Sequence, residues 1–262
     1  MTLNRMLKVS WIYSIYFNLH YLPFKQAIKL PIILFKPKLL KCKGEVIIKS
    51  QNIKTGMIQL GEMHVSLYPN NGIVWENHGG KIVFKGKCII GNSSALSIGD
   101  KGCCILGNNF RATASLKLTS YCYIEFGENV IIAWEVIIMD TSFHRLKDKN
   151  GNFKSKGFAP IIIGKNNWIT TRCMIHSGTK TPDYCTLGSG SILNKDYSNL
   201  PTHILLAGSP LEIKAKDVWI DLEDHDITDY EIMDNIYFKT IINPERDDKE
   251  NRVALDESIL GQ

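Results

Sequence analysis

The first 44 residues contain no acidic side chain, against eight basic ones: Arg5, Lys8, Lys25, Lys29, Lys36, Lys38, Lys41 and Lys43. The chain closes on the opposite imbalance, with fourteen of its 26 acids in residues 217–262. The net charge of +5 therefore hides a basic head and an acidic tail. Neither is a nucleic-acid footprint, because no basic stripe alternates with aromatic residues along a defined motif. Cysteine pairs of the CxxC type are missing too. The seven cysteines are an odd number, and Cys103 and Cys104 are neighbours, which suits neither a zinc site nor a disulfide framework. They read as reduced, small apolar core residues of a cytoplasmic protein. The seven histidines include no HxH or HxxxH pair, so no metal is expected. No glycine-rich strand–loop–helix motif for a nucleotide is present. No apolar run is long enough for a bilayer span. The nearest, WIYSIYFNLHYLPF (11–24), is interrupted by Asn18 and His20, and no small-residue cleavage site follows.

What is present is a period of six. From Ile163, every sixth residue reads Ile169, Ile175, Thr181, Leu187 and Leu193. Four residues after each come Asn167, Cys173, Thr179, Cys185, Ser191 and Tyr197, which are mostly small. Glycine follows the apolar residue at 90–91, 98–99, 106–107, 126–127, 163–164 and 187–188. A helix needs a spacing near 3.6 and a simple strand a spacing of 2. Six fits neither, but it fits a triangular solenoid in which three hexads make one coil of about eighteen residues. The aliphatic residue faces the interior, and glycine and asparagine after it let the chain bend sharply. Register jumps of two residues around 96–98, 104–106 and 124–126 predict longer corners there. With 44% apolar residues the chain can fill such a core.

Three regions follow. Residues 1–43 form a basic, aromatic, helical segment, suited either to the headgroup layer of a membrane or to packing on the body or a neighbouring subunit. Residues 44–216 form the solenoid. Residues 217–262 form an acidic extension, in which ITDYEIMDNIYFK (227–239) reads as a helix with Thr228 and Glu231 spaced as a capping box, placed to cap the open end of the stack.

The stretch IIIGKNNWITTRCMIHSGTKTPDYCTLGSGSILNKDY, followed by AGSPLEIK, resembles hexapeptide-repeat acyltransferases of the sugar and capsular polysaccharide O-acetyltransferase type. The basic head YFNLHYLPFKQAIKLP resembles the heads of capsule-type members. The resemblance implies an all-β solenoid, a left-handed parallel β-helix, although the general rule for parallel crossovers gives the opposite hand. Thr170, Ser177 and Thr181 depart from the family pattern.

Transfer of an acetyl group from a thioester to a sugar hydroxyl is limited by the hydroxyl, a weak nucleophile at neutral pH. A base within hydrogen-bond reach is typically worth about 10²–10⁴ in rate, and histidine titrates near the working pH. Counting back in sixes from His144 gives Ile138, Ile132 and Phe126, so a histidine stands where an apolar residue is due. It opens the polar run RLKDKNGNFKSKGFAP (145–160), which has the composition of a projecting loop. His144 is the candidate base. Asp140 is a candidate for orienting it or binding the acceptor, and Trp134 for stacking on a sugar. The alternatives are a solvated corner histidine, a turn aspartate and a packed tryptophan. His176 follows an inward Ile175 and should face outward.

The resemblance further implies that acetyl-CoA, as donor, lies in a groove between subunits of a homotrimer. Trp168 would wall that groove, Thr171 and Ser189 would bond the pantetheine, Asn194 and Lys195 would form its basic corner, and Lys195 or Lys214 would meet a phosphate. The expected activity is acetyl-CoA-dependent O-acetylation of a surface glycan or its precursor, in the cytoplasm or at the inner face of the cytoplasmic membrane. Two rivals stand beside it: N-acylation of an amino sugar, and a non-catalytic solenoid scaffold.

Overall fold

The computed structural model describes residues 3–220. The period of six becomes a three-sided parallel β-helix. Each coil lays one short strand on each of three sheets in turn, and among the described residues these sheets hold nine, seven and five strands. Inward residues stack from coil to coil. In the first sheet Ile90, Ala112, Ile132, Ile169, Leu187 and Leu206 form one column. In the second sheet the column is Trp75, Leu96, Leu118, Ile138, Ile175 and Leu193. In the third it is Ile82, Cys104, Ile124 and Ile161. All are buried, and each large aliphatic side chain contributes about 1.5–3 kcal/mol of transfer free energy.

The coils shorten along the chain. Successive partners lie 22 residues apart from Ile90 to Ala112, 20 from Ala112 to Ile132, and 18 from Ile169 to Leu187. The early coils carry the longer corners that the register jumps predict. The interior is not wholly apolar. Thr181, on an inward hexad position, accepts from the Gly164 N–H at 3.0 Å and donates to Asn167 Oδ1 at 2.8 Å.

The glycines of the repeat act differently from expectation. None of Gly91, Gly99, Gly107, Gly127, Gly164 and Gly188 has a positive φ. They are required by close approach instead. A Cβ on Gly91 would lie 1.7 Å from the Thr113 carbonyl oxygen, and one on Gly107 1.9 Å from that of Gly127. The left-handed corner positions go to other residues: Ser93, Ser115, Glu135 and Arg172 between the first and second sheets, and Asn109, Asn129, Asn166, Tyr184 and His203 between the third and first. Asparagine tolerates this conformation, and its side chains form a ladder here. Asn109 Nδ2 donates to Asn129 Oδ1 at 3.0 Å, and Asn129 Nδ2 to Asn166 Oδ1 at 2.9 Å.

The start of the stack shows how its open edge is closed. Helices α1 (Leu3–Lys8), α2 (Trp11–Tyr21) and α3 (Phe24–Ala27) precede the first strand, Ile32–Leu34. On one side that strand pairs with Ile58–Leu60. Its other side meets α2, where Ser10, Ser14 and Asn18 recur every fourth residue along one face. Asn18 Nδ2 donates to the Ile32 carbonyl at 2.6 Å while its Oδ1 accepts from the Ile32 N–H at 3.1 Å. The Ser14 hydroxyl accepts from the Leu34 N–H at 2.9 Å, and the Ser10 N–H donates to the Leu34 carbonyl at 2.9 Å. The four backbone groups that a missing coil would have paired are thus all satisfied. Phe17 packs edge-on against Trp75 at 4.9 Å and seals the apolar interior.

The expected boundary at residue 44 is too late. Ile32–Leu34 and Lys38–Cys42 already pair within the sheets, so the first coil lies inside the segment expected to be helical. Its lysines obscure an edge strand that buries little. At the other end Glu212–Lys216 folds back antiparallel on Ile204–Ala207. The helix expected at 227–239 lies outside the described residues.

Asn18→Ala is expected to lower the unfolding free energy by about 3 kcal/mol, because it leaves buried groups of Ile32 without partners. Calorimetry checks this against Ile12→Ser on the exposed face of the same helix, expected within about 0.5 kcal/mol of wild type.

Candidate active site

Among the described residues the longest excursion from the winding lies between Ile137–Met139 in the second sheet and Ile161–Ile163 in the third. The intervening residues leave the prism at the edge between these sheets as a small hairpin of their own. Thr141 bridges Phe158 and Lys147 bridges Phe153, both antiparallel. The Arg145 guanidinium lies 3.5 Å from the centre of the Phe153 ring. At the tip, Asp148 Oδ1 accepts from the N–H groups of Asn150 and Asn152, each at 2.9 Å.

His144 stands at the root of this hairpin with its side chain exposed. The backbone around it is held closely. Phe143 takes a left-handed φ of 58°, a costly conformation for a bulky side chain. Its N–H donates to Thr141 Oγ1 at 3.0 Å, and its ring packs on Tyr121 at 5.0 Å. The Ser142 hydroxyl donates to the His144 carbonyl at 2.6 Å, and the Ser142 N–H to the Gly157 carbonyl at 2.8 Å. These contacts present an exposed imidazole from an anchored turn. Thr141 and Ser142 were missed at the sequence level. The signal was present, since short hydroxyl side chains before a turn bond the backbone two residues on.

Asp140 corrects an expectation. Its side chain is wholly buried, and its oxygens already have partners. Oδ1 accepts from the Tyr121 N–H at 2.8 Å, and Oδ2 from the Cys122 N–H at 2.8 Å and the Ser120 hydroxyl at 3.3 Å. Its hydrogen bonds go to residues 120–122 and none goes to His144. It replaces the coil that the chain abandons when it leaves the prism, satisfying the corner of the coil before. Burial pushes its carboxyl above the ordinary range, opposed by these donors.

The remaining candidates divide between two edges. Trp134 ends a strand of the first sheet, half-buried beside Tyr68 at 6.1 Å, at the edge between the first and second sheets. It is therefore one edge away from His144 in the same chain. Trp168 lies on the outer side of the first sheet, in register with Ile131 and Thr186. Thr171 and Ser189 occupy the same edge as Trp134. The Thr171 carbonyl accepts from the Gly190 N–H at 2.9 Å, and the exposed Ser189 hydroxyl donates to Thr170 Oγ1 at 3.2 Å. Asn194 and Lys195 follow Ile192–Leu193, so they share the His144 edge, and both are exposed. Lys214 pairs with Glu212 at 2.8 Å on the final strand, so its charge is already met. His176 faces outward beside Met139, as expected. Among the described residues no three of His, Cys, Asp and Glu converge as a metal site would require.

The resemblance to hexapeptide-repeat acyltransferases that act on sugars, read from the sequence, is found again. Galactoside O-acetyltransferase of Escherichia coli (strain K12) is 34% identical over 110 residues, which are 41% of this chain and 51% of that protein. The chain thus spans about half the length of that relative. An uncharacterized 24.8 kDa protein in the cps region of Klebsiella pneumoniae is 27% identical over 183 residues, 70% of this chain and 78% of that protein. Among solved structures, the polySia-specific acetyltransferase NeuO superposes with a TM-score of 0.42 at 14% identity, covering 73% of this chain and 92% of that one. No family model matches the chain.

Asp140→Ala is expected to cost about 3 kcal/mol of stability, since it leaves the N–H groups of Tyr121 and Cys122 without their partner, while the Ser120 hydroxyl keeps the Cys103 carbonyl at 3.0 Å. His144→Ala should stay within about 0.5 kcal/mol of wild type. Denaturant titration of both variants checks this contrast.

Proposed function

We propose that the protein is an O-acetyltransferase that moves an acetyl group from acetyl-CoA to a hydroxyl of a surface glycan or its precursor. The 34% identity to galactoside O-acetyltransferase over 110 residues carries this reading. The exposed imidazole on an anchored turn gives it a residue to work through.

His144 acts as general base. Its imidazole takes the proton of the acceptor hydroxyl as the oxygen bonds to the thioester carbonyl carbon. The negative charge passes to the carbonyl oxygen, where a backbone N–H stabilises it. The intermediate collapses by breaking the carbon–sulfur bond, and the imidazolium returns its proton to the leaving thiolate. The products are the acetyl ester and free coenzyme A, with no covalent acyl-enzyme.

The split of candidates over two edges supports a site built between copies. His144, Asn194 and Lys195 lie on one edge, Trp134, Thr171 and Ser189 line another, and Trp168 stands on the outer side of the first sheet. A closed threefold assembly sets the first edge of each copy against the second edge of the next. In that arrangement Trp168 walls the donor groove, Thr171 and Ser189 bond the pantetheine, Asn194 and Lys195 form its polar corner with Lys195 meeting a phosphate, and Trp134 stacks on the acceptor sugar. The homotrimer and a place in the cytoplasm, where acetyl-CoA is available, belong to this proposal.

The test is thiol release from acetyl-CoA with a panel of sugars and oligosaccharides. His144→Ala is expected to lower kcat by about 10²–10⁴-fold with little change in KM for acetyl-CoA. Trp134→Ala should raise KM for the acceptor alone. Undiminished turnover in His144→Ala would overturn the base assignment, and absence of turnover with every acceptor would favour a scaffold.

A further inference from the structure

We propose that the outer face of α2, together with the exposed ends of α1 and α3, lies on an anionic lipid bilayer. Helix α2 is used on both sides, and only one side has a partner within the described residues. The inner side, Ser10, Ser14, Phe17, Asn18 and Tyr21, closes the end of the prism. At 100° per residue, Ile12, Ile15, Tyr16 and Leu19 fall on the opposite side. All four are exposed, Ile12 to 83%. Leu7, Phe24 and Ile28 extend this apolar surface at 77%, 71% and 60% exposure. It continues into an open groove of about 470 Å³ between α2 and the strand Lys38–Cys42, lined by Ile12, Tyr13, Tyr16, Leu39 and Cys42. Single exposed apolar residues are ordinary, but a contiguous patch with a polar rim marks an interaction surface.

The rim identifies the partner. Lys8, Lys25, Lys29, Lys38, Lys41 and Lys43 are exposed, and none pairs with a described acid. The first acid in the chain is Glu45, and of the two other cations before it Arg5 pairs with Glu62 while Lys36 is exposed. Two copies of such a face would set like charges together. An anionic headgroup layer meets both demands, taking the aliphatic side chains at the acyl boundary and the ammonium groups at the phosphates. Tyr13, Tyr16 and His20 have the amphipathic form that suits the interface. Among the described residues no helix is long and apolar enough to cross a membrane, so the contact is peripheral. Inversion of α2 is opposed as well, because Ser14 and Asn18 would surrender their bonds to the strand edge. The proposal stands independently of the acetyl-transfer reading.

The experiment is co-sedimentation of the full chain with phosphatidylcholine vesicles, with and without phosphatidylglycerol. Wild type is expected to bind only the anionic vesicles, less so as salt is added. Combining Ile12→Glu with Leu19→Glu should cut the bound fraction roughly tenfold, with circular dichroism and thermal midpoint unchanged. Lys25→Glu with Lys29→Glu should weaken binding in the same direction. Failure of wild type to bind anionic vesicles would overturn the proposal, as would undiminished binding by the Ile12/Leu19 variant. Light scattering supplies the remaining arm. If that variant dissociates an assembly while vesicle binding persists, the face belongs to a second copy and the lipid proposal falls.

Discussion

A parallel stack pairs the backbone of each coil with the coils above and below it, and wherever a coil is missing something else must take its place. A buried N–H or C=O without a partner costs about 1–3 kcal/mol, so every interruption of the winding needs a substitute. The structure holds two clear cases. At the first edge, Ser10, Ser14 and Asn18 stand in for an absent strand. Where the chain leaves at residue 140, the Asp140 carboxylate stands in for an absent corner. The side chains of Ser14, Asn18 and Asp140 are buried for a structural reason, and they occur in segments where a functional reading is tempting.

This constraint also places the candidate chemistry. A hairpin can leave the prism only if the coil it abandons is closed behind it. Asp140 performs that closure, and the chain is then free to turn through Thr141, Ser142 and Phe143 and present His144 outward. The aspartate and the histidine are thus linked through the backbone rather than by a side-chain contact. The excursion lies on one edge of the prism, while Trp134, Thr171 and Ser189 lie on another. The proposed site between copies rests on this distribution.

Much of the fold was legible in the sequence because the interior of a three-sided prism accepts only aliphatic or small residues at fixed intervals. Ile169, Ile175, Leu187 and Leu193 reveal themselves by period alone. The first coil was not legible, since Lys38–Cys42 is an edge strand that buries little and reads as part of a basic tail. The repeat glycines were read as bends but serve close approach between coils, a requirement that appears only when neighbouring backbones are placed side by side. His144 was legible as a break in the count. The role of Asp140 was not, because its partners lie about twenty residues earlier and one coil away. Trp134 fell near His144 in sequence, yet the strand Ile137–Met139 between them puts the two on different edges. Sequence distance along a solenoid is a poor guide to distance around it.

The most direct test of a site shared between copies is complementation in mixed assemblies. One inactive chain carries His144→Ala, and the other carries Ser189→Trp to block the opposite edge. Co-refolded in equal amounts, random threefold assemblies unite two intact edges at about a quarter of their sites, so activity near a quarter of wild type is predicted. A mixture no more active than its two components would contradict the account and place the whole reaction on a single chain.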